Sequence, residues 1–223
     1  MRKALIYKEW KKTKWLNIAI LSIGSLLLGY IFMKLGRSFR FAGMEHLWDV
    51  IINRDQFLLR DLKYFPVAAG IFLGLAQFVP ETIKKRIKLS LHLPLPERET
   101  IFIMLGYGQV VLLGFFILHI MAVLLFAGIH FPYEFIISML GTLAPWYLAG
   151  LTAHSFVAMI CLEPTWKRRV FNILLMVGTL KLFFISDFPS AYILVLYLLI
   201  MIPIYVLPFL FLSVFRFKEG QQD

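Results

Sequence analysis

The chain has one cysteine, Cys161, so it cannot form an internal disulfide, and cysteine usage does not inform its redox compartment. Charge is also scarce. Of the 223 residues, 16% are charged, while 60% are hydrophobic and 16% aromatic. A soluble domain of this length would need a more polar surface than this chain can supply. Acidic residues are the rarer charge, 13 against 23 Lys plus Arg, for a formal net charge of +10. That excess does not read as a nucleic-acid face, because the cations flank hydrophobic runs and do not gather on one polar surface. No small-residue cleavage site follows the first apolar run. The run is too long for a leader and reads as a retained span.

Catalytic patterns are missing as well. There is no G-x-x-x-x-G-K-[ST] phosphate loop, and Gly106 and Gly108 of "GYGQ" have no lysine after them. There is no H-E-x-x-H and no acidic pair deep in an apolar run; Glu134 and Glu163 sit at run ends. The chain therefore reads as a non-enzyme with no cofactor of its own.

What is present is a series of long apolar runs. They predict an all-α polytopic membrane protein with six spans. These cover about Trp15 to Met33, Phe65 to Val79, Ile101 to Ile129, Glu134 to Cys161, Val170 to Ile185 and Ala191 to Phe215. A β-barrel would alternate polar and apolar residues, and "YILVLYLLIMIPIYVLPFLFL" does not. Six spans put both termini on one side, which then holds 16 Lys and Arg against 7 on the other. By the positive-inside rule both termini are cytoplasmic. The whole chain reads as one membrane domain.

Three segments lie outside the spans. Residues 1–14 are weakly amphipathic, with Ile6, Trp10 and Thr13 on one face and Lys8, Lys11 and Lys12 opposite. They predict a helix lying in the interface; an ordinary basic flank is the plainer reading. Residues 34–64 carry Leu47, Ile51, Leu58 and Leu62 at helical spacing, widened by Trp48, Ile52 and Leu59. They predict an external amphipathic helix, either on the membrane face or, over 34–63, against a periplasmic partner. Residues 81–100, "ETIKKRIKLSLHLPLPERET", space Ile83, Ile87 and Leu91 four apart with Lys84, Lys85 and Lys88 off that stripe. A short helix to about Leu91 is expected, then an extended turn forced by Pro94 and Pro96. A charged connector that only orients the protein is the alternative. The tail, 216–223, is basic at Arg216 and Lys218.

At these residues the chain resembles a family. "YKEW" is similar to the Lys-Glu pair in the N-terminal elbow helix of ABC-2 type transporter permeases. "LHLPLPERETIFIMLGYG" resembles the Leu-Pro turn and charged residue before their third span. The resemblance implies the membrane-spanning subunit of an ABC exporter in a bacterial cytoplasmic (inner) membrane. It implies a coupling helix between spans two and three that docks on a cytosolic ATPase subunit. Glu81, Ile83, Lys84, Lys85, Ile87, Lys88, Leu91, Arg98 and Glu99 become the coupling residues. Two ATPase subunits, holding the ATP and Mg, would join two permease subunits, on this reading a homodimer. Many relatives carry an extra helix between spans five and six; here that link is only "SDFPS". This leaves the subgroup and the cargo open.

Polar residues inside spans are costly in lipid and mark a pathway. Gln77, Gln109, His119 and His154 are the candidates. His154 and Cys161, seven apart on one face, raise a soft-metal reading, against which stands ordinary helix packing. Lys181 near the end of a short span is expected to snorkel, with Asp187 a partner only if the helix ends between them. Pro145, Pro203 and Pro208 are expected to kink their helices. Two other functions compete with export. One is a non-transporting scaffold or assembly factor with lipid- or protein-binding basic loops. The other is a small secondary carrier, which would need internal repeats and deep acids that are not seen.

Overall fold

A computed structural model describes residues 1–52, 59–83, 96–186, 188 and 190–218, with side chains described at these positions except 39, 42–52, 217 and 218. Among the described residues the regular structure is all helical. The helices are α1 (Arg2–Ile52), α2 (Phe65–Ile83), α3 (Glu97–His130), α4 (Tyr133–Leu162), α5 (Trp166–Leu182) and α6 (Leu196–Lys218). Short 3-10 turns cover Arg60–Leu62 and Ile193–Val195. Helix is what apolar runs adopt when lipid offers the backbone no hydrogen-bond partners.

Prolines set several boundaries. Pro96 caps α3 and Pro132 caps α4 in extended conformations. Pro164 lies in the break between α4 and α5. Glu97 and Glu99 occupy the first turn of α3, where the helix dipole favours negative charge.

Parts of α1 and α6, and all of α2, α3 and α4, form five helices long and apolar enough to cross a membrane. The sixth expected span, α5, has 17 residues, about 26 Å of helix, and opens with "WKRR". It sits at the lower limit of a bilayer crossing.

The N-terminal third differs from expectation. Residues 1–14 and the start of the expected external helix are not separate elements; α1 runs unbroken from Arg2 to Ile52, about 76 Å. Neither Gly29 nor Gly36 breaks it, because isolated glycines cost a helix only about 1 kcal/mol each. The faces of its first turns also differ. Thr13 is buried and Trp10 exposed, while Lys12 turns inward and Lys11 outward. The reason is an inward pull from two buried carboxylates, described below. Of the stripe predicted for 34–64, the side chains of Leu47, Trp48, Ile51 and Ile52 and all of Leu58 lie outside the described residues. Leu59 and Leu62 are buried beside Leu28, Ile31 and Leu35 of α1.

α2 and α4 pack at the centre. Their contact is made by small residues: Ala69, Gly70 and Gly74 on α2 against Ala149, Gly150 and Ala153 on α4. A side chain at Gly70 would strike the Gly150 carbonyl, and one at Gly150 would strike the Pro66 carbonyl. Close helix approach through small residues is how helices associate where lipid removes the hydrophobic drive. One apolar core, with Leu5, Phe78, Met104, Phe156 and Leu210, gathers the end that holds α1's first turns and α6's last. We call this the proximal end. A second core, with Ile31, Leu62, Leu73, Phe116 and Leu143, fills the distal half. The outward faces carry large apolar side chains such as Leu125, Ile129, Leu194 and Tyr205, a surface suited to lipid.

The short α5–α6 connection is pinned to α4. Ser190, at φ 60, is the one non-glycine with positive φ among the described residues. Its N–H donates to Thr142 Oγ1 at 2.9 Å and its hydroxyl to the Ser138 carbonyl at 3.1 Å. Those bonds hold a left-handed conformation that a side chain disfavours.

Candidate functional site

Polar side chains inside this apolar bundle fall into three clusters. The first lies between α2, α3 and α4. Gln77 Nε2 donates to the Met104 carbonyl, so its Oε1 is left to accept from His154 Nε2 at 3.0 Å. That contact sets the His154 tautomer, with the proton on Nε2, and Nδ1 accepts from Gln109 Nε2 at 3.3 Å. Gln109 Nε2 also reaches Ser155 Oγ at 2.8 Å and the Leu151 carbonyl at 3.0 Å. His154 and Gln77 are fully buried. Gly108 makes room for them, because a side chain there would overlap the His154 ring and Gln77 Oε1.

Three of the four expected pathway residues therefore form one network. Both ring nitrogens of His154 face glutamine amides. Cys161 is not among its partners, and no group of three metal-ligating side chains occurs among the described residues.

The fourth, His119, sits apart where α1, α2, α3 and α4 meet. It packs on Gly24, its ring centroid is 5.6 Å from that of Phe65 and 6.5 Å from that of Tyr147. Neither His119 ring nitrogen, nor the Tyr147 hydroxyl, has a hydrogen-bond partner. Beyond Tyr147 an apolar cavity of about 210 Å³ opens between α3, α4 and α6, lined by Phe116, Leu148, Leu196 and Ile200 among others.

The second cluster joins the proximal ends of α1, α2 and α3. Glu9 and Glu81 are buried side by side. Lys12 Nζ lies 2.8 Å from Glu9 and 3.1 Å from Glu81, and Lys8 Nζ lies 2.9 Å from Glu81. Two carboxylates and two ammonium groups cancel, which is the condition for burying them. The network continues through the Thr13 hydroxyl, 3.0 Å from the Tyr107 hydroxyl, and Asn17 Nδ2, 3.2 Å from both. Arg2 pairs with Glu99 at the start of α3.

The first turns of α1 thus grip both flanks of the connection from α2 to α3. Of the residues expected to couple to a partner, Glu81 is turned inward onto lysines, Glu99 is held by Arg2, and Ile83 and Arg98 are exposed. Lys84, Lys85, Ile87, Lys88 and Leu91 lie outside the described residues, as does Asp187. Lys181 is exposed at the end of α5.

The third cluster ties α4, α5 and α6. Glu163, buried just past α4, accepts from Ser213 Oγ at 2.7 Å, Arg216 Nη2 at 2.6 Å and Thr165 Oγ1 at 3.0 Å. Arg169 Nη2 donates to its carbonyl at 2.7 Å. Burial raises the pKa of this carboxyl, but hydrogen bonds from Arg216, Ser213 and Thr165, with the Arg216 charge, outweigh it and hold the value below the ordinary one.

Sequence reasoning did not find Glu9, Lys12, Thr13, Asn17, Tyr107, Ser155 or Ser213 as network members. The small-residue spacing Gly70-x-x-x-Gly74 was a usable signal for the α2–α4 contact. Comparison with protein-family models, curated proteins and solved structures finds no match for the chain.

Proposed function

We propose that the chain is a membrane-spanning permease subunit that couples a cytosolic ATPase to export, in the manner of ABC-2 type permeases. The observation that carries this reading is the grip of α1 on both flanks of the α2–α3 connection, through Lys8 and Lys12 on Glu81 and Arg2 on Glu99. A force on that connection reaches three helices together. The buried Glu81 pairs tie α2 to α1, because separating them would leave charges unpaired at a cost of about 3–5 kcal/mol. α3 is tied to α1 by the Thr13 and Asn17 hydrogen bonds to Tyr107 and by the exposed Arg2–Glu99 pair.

In this reading the proximal end is cytoplasmic, and residues 84–95 meet one ATPase subunit. The complex holds two ATPase subunits and two copies of this chain in a bacterial inner membrane. Nucleotide closure favours one arrangement of α1, α2 and α3 over the other by its differential affinity. The Gln77–His154–Gln109 network joins α2 and α3 to α4, so it is where their relative movement would be felt. Gln77, Gln109 and His154 then serve as wall residues that exchange partners between states. Cys161 is not part of this scheme.

The test is copurification. A tagged chain extracted in mild detergent should bring down an ATP-binding protein in near-equal amount, and reversing Lys84, Lys85 and Lys88 to Glu should release it. Recovery of a folded chain with no ATPase would overturn the proposal. Orientation is checked separately with Ser90→Cys, which should resist a membrane-impermeant thiol reagent applied to intact cells.

A further inference from the structure

The first turns of α1 are built inside out for a helix in water. Their inward face carries Glu9 and Thr13 beside Leu5. Their outward face carries Tyr7 at 59% exposure, Trp10 at 49% and Trp15 at 74%. Aromatic side chains that point away from the protein just before an apolar run sit at the level of lipid headgroups.

The basic residues divide the same way. Arg2, Lys8 and Lys12 are engaged with Glu99, Glu81 and Glu9. No ion pair joins Lys11 or Lys14 to a carboxylate among the described residues. At 100° per residue, Tyr7, Trp10, Lys11, Lys14 and Trp15 share one face, spread over about 12 Å of helix. The Tyr7 and Trp10 rings pack at a 31° tilt with centroids 5.8 Å apart, and Lys14 Nζ lies 5.2 Å from the Trp15 ring centroid.

We infer that this face is a contact site for anionic phospholipid. Lys11 and Lys14 reach the phosphates, with Tyr7 and Trp10 at headgroup level on the proximal side and Trp15 nearest the hydrocarbon. The occupant follows from charge and polarity together. An acidic soluble protein would satisfy the lysines but would leave the two tryptophans and Tyr7 on a face that continues into exposed, apolar Ile18 at the rim of the span. A lipid headgroup layer offers phosphate above and hydrocarbon below on one surface. Lys3, about two turns from Lys11, extends the positive charge outward. The inference rests on the membrane reading but not on coupling to an ATPase.

The test titrates purified full-length chain in mild detergent with fluorescent phosphatidylglycerol or phosphatidylcholine. Each lysine near an anionic surface contributes a factor of about five. The double variant Lys11→Gln/Lys14→Gln should therefore bind phosphatidylglycerol at least about tenfold more weakly. Arg37→Gln/Arg40→Gln, which removes equal charge at the distal end, should keep wild-type affinity. Binding of phosphatidylglycerol should weaken with salt, and phosphatidylcholine should bind poorly throughout. Equal losses in both double variants would assign the effect to net charge and overturn the site. So would unchanged binding in Lys11→Gln/Lys14→Gln, or equal affinity for the two lipids. Membrane fractionation of the wild type tests the membrane reading independently: a chain recovered free of membranes would end that reading, whatever its lipid preference.

Discussion

Replacing Gly70 by alanine should destabilise the protein, although alanine is the better helix former. A methyl group at Gly70 would overlap the Gly150 carbonyl oxygen, with the carbonyl carbon at 3.0 Å and the His154 amide nitrogen at 3.3 Å. All three obstacles are backbone atoms, so no rotamer change relieves them, and α2 must move away from α4. Overpacking of this kind costs about 1–3 kcal/mol, and a rigid obstacle belongs at the upper end. Alanine recovers about 1 kcal/mol in helix propensity, leaving a net loss of about 1–2 kcal/mol. Gly114 is the matched control. It lies within α3 with nothing within 4 Å of an added side chain, so Gly114→Ala keeps the propensity gain without the clash. The two variants should differ by about 2–3 kcal/mol. For a chain of this size that is about 4 °C or more in melting temperature. Thermal unfolding of both purified variants in one detergent reads the difference directly. If Gly70→Ala melts with Gly114→Ala or above it, the close approach of α2 and α4 is wrong, and the central contact of the bundle with it.

Acid should expose the role of Glu163. Its pKa is held below the ordinary value in the fold, so the stability it contributes is complete above about pH 4.5 and is lost as pH falls through the lower folded value. Wild-type melting temperature should drop across that acid window by an increment that Glu163→Gln lacks; equal acid sensitivity of the two would refute the assignment. Gln77→Leu should cost about 1–3 kcal/mol, because it leaves the His154 Nε2–H buried without an acceptor. The double variant Gln77→Leu/His154→Leu should cost less than the sum of the singles, which a double-mutant cycle on unfolding would show. At Ser190, both Gly and Ala lose the bonds to Ser138, but only Gly is at ease with φ 60. Ser190→Gly should therefore be the more stable of the two by about 1 kcal/mol in thermal unfolding.

Much of the fold was legible because helical apolar runs need no partner to be recognised. The starts of α2, α3 and α4 fall within about four residues of the expected spans, marked by Pro66, Pro96 and Pro132. α1 was misjudged for a physical reason. A change from basic to apolar composition looks like a change of element, but a helix can leave the bilayer without bending. Gln77, Gln109, His119 and His154 were all singled out by polarity; the structure joins three of them in one network and leaves His119 apart from it. Polarity identifies a costly residue and says nothing about which neighbour relieves the cost.

The sequence by itself determined the helical structure of the described residues and the long apolar runs flanked by basic residues, because each depends only on local composition and periodicity. Tertiary structure alone decided which of the basic residues in α1's first turns are consumed by buried carboxylates and which stay available. Lys12 meets a carboxylate 69 positions away in Glu81. Helical period says which residues share a face, but only the crossing of distant helices says what that face meets.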